Sequence, residues 1–254
     1  MFGRRSLVVI TTVAISAFCF LCLLSFLSGC QVLRLTQASR EVSLELVPFE
    51  QIRRDAKLKI LILGDSTAVG TGAKDNTESV AGWFGRDFPK AHIRNFGRNG
   101  QRLADLLKNF PSFSEEEKFD LVVLQIGAND VIHLTRLKHI KRNVTAVVDR
   151  AKTVGQQVVL MHSGDVGLAP IFSWPLNRLF SARTRALREI YLKVAKEKNV
   201  MYVDLFRERK GDLFLTDINK YYSVDRLHPS GAGYRYWYEE IRRTLVEHHV
   251  QLEE

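Results

Sequence analysis

The sequence predicts an α/β domain with a five-stranded parallel sheet, on three observations. Short apolar runs end at a Gly or a polar turn, helical patterns fall between them, and the residues suited to chemistry cluster just after the runs. The runs are "LKILILG" ending at Gly64, the weaker "AHIRNFG" ending at Gly97, "DLVVLQIG" ending at Gly127, "QVVLMHSG" ending at Gly164, and "VMYVDLF" ending at Phe206. Apolar on nearly every residue, they read as strands buried on both faces.

Between the runs, apolar residues recur at helical spacing. They are Leu103, Leu106, Leu107 and Phe110; then a helix from about Thr135; then Ala186, Leu187, Ile190, Tyr191 and Val194. Tyr234, Trp237, Tyr238, Ile241 and Leu245 mark a final helix. Strands alternating with helices imply parallel pairing, because each strand must return over a face of the sheet before the next begins. At 254 residues and 46% hydrophobic, without internal repeats, the chain suits one core. The expected domain covers residues 57–254, behind a tether at 31–56.

Residues 1–30 have a different character. Met1 to Arg5 is short and basic, Leu7 to Leu27 is nearly all apolar, and "LSGC" follows at Leu27 to Cys30. An export signal usually has an apolar core of about 7 to 15 residues and a membrane span about 20, so the length of this run leans towards an anchor. "LSGC", however, resembles the lipobox of bacterial lipoproteins. That resemblance implies lipidation of Cys30, and its position behind a basic start and an apolar run favours an exported cell-envelope lipoprotein. Both readings set the domain beside a membrane.

Composition removes several function classes. Cys19, Cys22 and Cys30 all lie in this N-terminal segment, so the domain has no catalytic cysteine, disulfide or cysteine metal site. Residues 1–29 hold Arg4 and Arg5 and no acid, leaving 35 basic against 28 acidic groups, a net of +7. That balance suits anionic lipid or nucleic acid. The densest run, "RLKHIKR" at Arg136 to Arg142, has no interleaved aromatics and no nucleic-acid motif. Ile140, Val144, Val147, Val148 and Ala151 beside it recur at helical spacing, which makes the cations a solvated helix face. Nucleic acid is therefore not an expected partner.

Ligands of parallel sheets bind beyond the carboxyl ends of the strands. After the first strand come Gly64, Asp65 and Ser66; after the second, "NFGRNG"; after the third, "GAND"; after the fifth, "VDRLHPSG". A Ser, a His and an Asp at one edge are the parts of a hydrolase: a hydroxyl that attacks, an imidazole that takes its proton, and a carboxylate that orients the imidazole. Asp225 and His228 stand three apart in a turn, close enough for the carboxylate to hold the Nδ1 proton and leave Nε2 facing Ser66. A turn-capping Asp beside a surface His is the plainer alternative. Asn129 offers an amide N–H, Gly100 a backbone N–H at a helix start, and Ser66 its own, all suited to an oxyanion hole. Alternatively, Gly100 and Asn129 are turn residues and Asp130 a helix cap.

Taken together, Gly64-Asp65-Ser66, the Gly100 segment, Gly127-Ala128-Asn129-Asp130 and Asp225-Arg226-Leu227-His228-Pro229 resemble the four sequence blocks of the SGNH/GDSL hydrolases, in the same order. They span residues 64 to 229. The resemblance implies a three-layer α/β/α sandwich with flavodoxin-like strand order. It also implies a Ser66–His228–Asp225 triad and an oxyanion hole from the Ser66 N–H, the Gly100 N–H and Asn129, with Gly97 as fallback in the second block. Thr67 departs from the aliphatic residue common in the family, and Asn99 from a small one. Family members act on lysophospholipids, acyl thioesters, simple esters and acetylated sugars.

The expectation is a membrane-tethered serine esterase acting as a monomer on a small-molecule or lipid ester, without cofactor or metal. An O-acetyl esterase of envelope polysaccharide and a non-catalytic assembly module are the alternatives. Gly64 to Ala68 lacks the second glycine of the G-x-S-x-G elbow, and "GDSTAVGTGAK" lacks the Gly-Lys-Ser/Thr of a P-loop. His133 and His162 have no partner ligands at a metal-binding spacing. The apolar segment "GLAPIFSWPLNRLF", residues 167–180, is open to three readings: an acyl pocket wall, a membrane contact, or a loop folded into the core.

Overall fold

The structure, a computed structural model, describes residues 46–253; the basic start, the Leu7–Leu27 run and Cys30 lie outside the described residues. In chain order the elements are β1 (Lys59–Gly64), α1 (Ser66–Val69), α2 (Val80–Asp87), β2 (His92–Asn95), α3 (Leu103–Lys108), β3 (Phe119–Gln125) and α4 (Ala128–Ile132). They continue as α5 (Leu137–Val154), β4 (Gly155–Met161), α6 (Leu176–Lys198), β5 (Met201–Val203), α7 (Ile218–Tyr221) and α8 (Gly231–Glu247). All five strands pair in parallel, in the order β2-β1-β3-β4-β5. This is the flavodoxin-like order, in which the connections reverse direction between β1 and β3 and open a crevice at the carboxyl edge.

The core explains the continuous apolar runs. Ile60 to Leu63 and Leu121 to Leu124 are fully buried, because helices cover both faces of the central strands. Helix α5 buries Ile140, Val144, Val147, Val148 and Ala151, while Lys138, Lys141 and Arg142 of the basic run stay exposed, as a solvated face should. Polar anchors fasten the sheet to its helices: the Tyr191 hydroxyl donates to the Ile126 carbonyl at 3.0 Å and that of Tyr234 to the Thr71 carbonyl at 2.7 Å.

Two boundaries differ from the sequence reading. Part of the expected tether belongs to the domain: Gln51 and Ile93 exchange backbone hydrogen bonds of 3.0 and 2.8 Å, and the Gln51 amide donates to the carbonyls of Phe88 and Ala91. This attachment is long-range and carries no local pattern. In addition, residues 176–180 of the apolar connection are the first turn of α6, which begins ten residues before its clearest apolar periodicity. Its exposed positions there hold Arg178 and Leu179, so no amphipathic stripe marks the start.

Candidate active site

The site is assembled from loops leaving the carboxyl edge of the sheet. At the end of β1 the chain turns directly into α1. Asp65 caps this turn: its Oδ1 accepts the Thr67 backbone N–H at 2.9 Å and the Thr67 hydroxyl at 2.8 Å. The hydroxyl at position 67, a departure from the family pattern, therefore makes a second bond to the cap. Burial pushes the Asp65 carboxyl up to about 6, a rise opposed by the two Thr67 donors. Ser66 occupies the first position of α1, where a backbone N–H has no acceptor within the helix.

His228 reaches this turn from the loop before α8. The Ser66 hydroxyl donates to His228 Nε2 at 2.8 Å, and His228 Nδ1 donates to Asp225 Oδ2 at 2.5 Å. A carboxylate on Nδ1 fixes the proton there, so Nε2 is left as the acceptor facing the serine. The other oxygen, Asp225 Oδ1, accepts the backbone N–H of Leu227 at 2.9 Å and of His228 at 3.0 Å. One carboxylate thus holds both the ring and its backbone. Burial pushes the pKa of Asp225 up, but the His228 side chain and these two amides outweigh it, and its pKa lies below the ordinary value. All three side chains are buried.

The oxyanion candidates lie on two loops that are tied together. Asn129 Nδ2 donates to the Gln101 carbonyl at 3.2 Å, which uses one of its two N–H bonds and leaves the other for a ligand. Gly100, beside Gln101, has φ of +74°, a left-handed conformation that disfavours residues with a Cβ. Gly97 does other work: its N–H is taken by Asn95 Oδ1 at 2.9 Å, and a Cβ there would stand 2.6 Å from the Val69 nitrogen in α1. It allows the β2 loop to lie against the helix that starts with Ser66. The loop carrying Gly100 is also fixed by Asn99, whose Oδ1 accepts the Thr71 hydroxyl at 2.7 Å.

Asp130, readable from the sequence as a helix cap, caps α3: its Oδ2 accepts the Leu103 N–H at 2.9 Å in the first turn of that helix. "GAND" therefore grips the Gly100 loop twice, through Asn129 and through Asp130. No sequence signal links positions 27 residues apart in this way.

A cleft runs away from Ser66, Asn129 and His228 between apolar walls that include Ile132, Val166, Leu213, Phe214 and Trp237. Its empty space is about 780 Å³, open mouth included, with Asp165, Arg207 and Asp212 contributing polar atoms. His162 is buried edge-on against Tyr191, and burial pushes its pKa down to about 4, so it stays neutral. His133 is exposed. Among the described residues no group of three His, Cys, Asp or Glu side chains is placed to hold a metal.

Comparison with known proteins agrees with the fold and the blocks. The chain is 24% identical over 196 residues to the esterase TesA of Pseudomonas aeruginosa, covering 73% of this chain and 87% of that protein. Among solved structures, a lipase/acylhydrolase from Enterococcus faecalis aligns with a TM-score of 0.59 at 21% identity, over 78% of this chain and 99% of that one. An acetyl xylan esterase from Geobacillus stearothermophilus aligns with a TM-score of 0.54 at 22% identity, over 76% and 96%. Residues 62–236 match the GDSL-like Lipase/Acylhydrolase family, and the chain is an ester hydrolase belonging to that family.

Proposed function

We propose that this esterase is held at a membrane by its N-terminal segment and hydrolyses acyl esters through Ser66, His228 and Asp225. The observation that carries the mechanism is the continuous relay of 2.8 and 2.5 Å hydrogen bonds from the Ser66 hydroxyl through His228 to Asp225. Ser66 Oγ attacks the ester carbonyl as His228 Nε2 takes its proton, and Asp225 stabilises the imidazolium that forms. The tetrahedral oxyanion is met by the Ser66 and Gly100 backbone N–H groups and the free N–H of Asn129. His228 then returns the proton to the leaving alcohol. A water, activated by the same imidazole, releases the acid from Ser66.

The apolar walls next to the serine support an acyl chain longer than acetyl. The test is hydrolysis of nitrophenyl esters from acetate to decanoate by the full chain and by Ser66→Ala. Activity that rises beyond acetate and is lost in the variant is expected. Equal activity in the two proteins would remove Ser66 from the mechanism. A strict acetyl preference would assign the enzyme to O-acetyl groups instead.

A further inference from the structure

The large apolar side chains that the described residues leave exposed are not spread evenly. They are Val47, Ile52, Leu134, Leu137, Trp174, Leu179, Val224 and Val246. Six of the eight lie at the carboxyl edge of the sheet, the edge at which the cleft opens. Leu134 and Leu137 follow β3 and open α5; Trp174 and Leu179 follow β4 and open α6; Val224 precedes Asp225; Val47 lies beside the loop after α1. Trp174 and Val224 are 55% and 89% exposed, values that no packing inside the domain explains.

These residues fall into two groups. In one, the Arg183 guanidinium donates to the Thr135 carbonyl, which holds the start of α6 against the turn between Leu134 and Leu137. In the other, Asn76 donates to the Val47 carbonyl at 3.1 Å, and Val47 and Val224 border one surface groove. Arg136, Lys138 and Arg178 stand among the first group, exposed, and none of them forms an ion pair among the described residues. Apolar side chains interleaved with unneutralised cations match an anionic bilayer, where the apolar groups enter the interface and the cations meet the headgroups.

The start of the described chain points the same way. Leu46, the first described residue, borders that groove together with Gly72, so the described chain begins at the catalytic edge. A tether alone does not impose an orientation; a docking face does. From these observations we infer that the catalytic edge is itself a membrane-docking surface, seating the cleft mouth on an anionic lipid bilayer so that ester substrates pass from the lipid to Ser66. This rests on the membrane tether proposed above.

The test uses the full chain reconstituted with vesicles of phosphatidylglycerol and phosphatidylethanolamine carrying brominated acyl chains. Flotation first reports attachment. Tryptophan quenching is then compared between the native chain and Trp174→Phe, which isolates Trp174 from Trp83 and Trp237. In parallel, Leu134→Ser/Trp174→Ser/Leu179→Ser is assayed on water-soluble nitrophenyl acetate and on a long-chain ester dissolved in the same vesicles. The expected results are selective quenching of Trp174, unchanged turnover of the soluble ester, and about a tenfold loss on the bilayer ester. Flotation without quenching of Trp174, with the triple variant equal to the native chain on both esters, overturns the docking face and leaves the tether standing. A full chain that stays out of the floated vesicles overturns both.

Discussion

Asp65 sits directly before Ser66, 1% exposed, with its carboxyl pushed up to about 6 by burial. A carboxyl whose pKa is higher folded than unfolded binds its proton more tightly in the native state. Its contribution to stability is therefore complete at low pH and is lost as pH rises from about 4 through about 6. Between the unfolded value of 3.8 and 6 the difference amounts to about 3 kcal/mol, most of which falls between pH 4 and pH 7.5. Asp65→Asn keeps an oxygen for the two Thr67 donors and removes the titration. The Asn amide also turns a donor towards the Gly127 N–H, which costs stability equally at every pH, so the informative quantity is the slope. Urea unfolding of the detergent-solubilised chain, followed by tryptophan fluorescence at pH 4 and 7.5, measures it. The native protein should lose about 2 to 3 kcal/mol more than the variant across that interval. Parallel pH profiles of the two proteins would refute the assignment of a buried, titrating carboxyl at this position.

Three further predictions concern the loops around the serine. Asp225→Asn should leave the fold intact and lower kcat by about 10³ to 10⁴-fold with little change in KM, because the Nδ1 proton of His228 is no longer fixed; nitrophenyl ester kinetics read this directly. Gly97→Ala forces a Cβ to within 2.6 Å of the Val69 nitrogen, so unfolding free energy should drop by about 1 to 3 kcal/mol, with kcat reduced as α1 shifts. An unchanged melting curve would show that the loop has room. Asp130→Ala removes the acceptor of the Leu103 N–H and should cost about 1 to 2 kcal/mol in thermal or urea unfolding. The same change loosens the Gly100 loop, so kcat should fall more than KM rises, with recovery in Asp130→Asn, which still offers an oxygen.

The serine, the imidazole and the carboxylate were each visible as residue types at strand ends, and the helical stripe of α5 correctly assigned the basic run to a solvated face. Spacing within one turn allowed Asp225 and His228 to pair but left a turn-capping Asp beside a surface His as the plainer reading, and it is the folded loop that joins them. The start of α6 was not legible, since Arg178 and Leu179 face outwards and break the periodicity that marks a helix. Nor was the attachment of Gln51, whose hydrogen bonds reach residues about 40 positions away.

By itself, then, the sequence determined the parallel α/β architecture and, through four blocks resembling one hydrolase family, named the candidate residues of its carboxyl edge. Periodicity and residue type act over a few residues, and an alternating pattern has few ways to pack. Tertiary structure alone decided what meets across the chain. The helix that Asp130 caps is α3, 27 residues earlier, Gly97 makes room for α1 while Gly100 stays open beside Asn129, and the exposed apolar residues of four separate loops converge on one edge. Each of these depends on contacts between distant segments, which local preference does not encode.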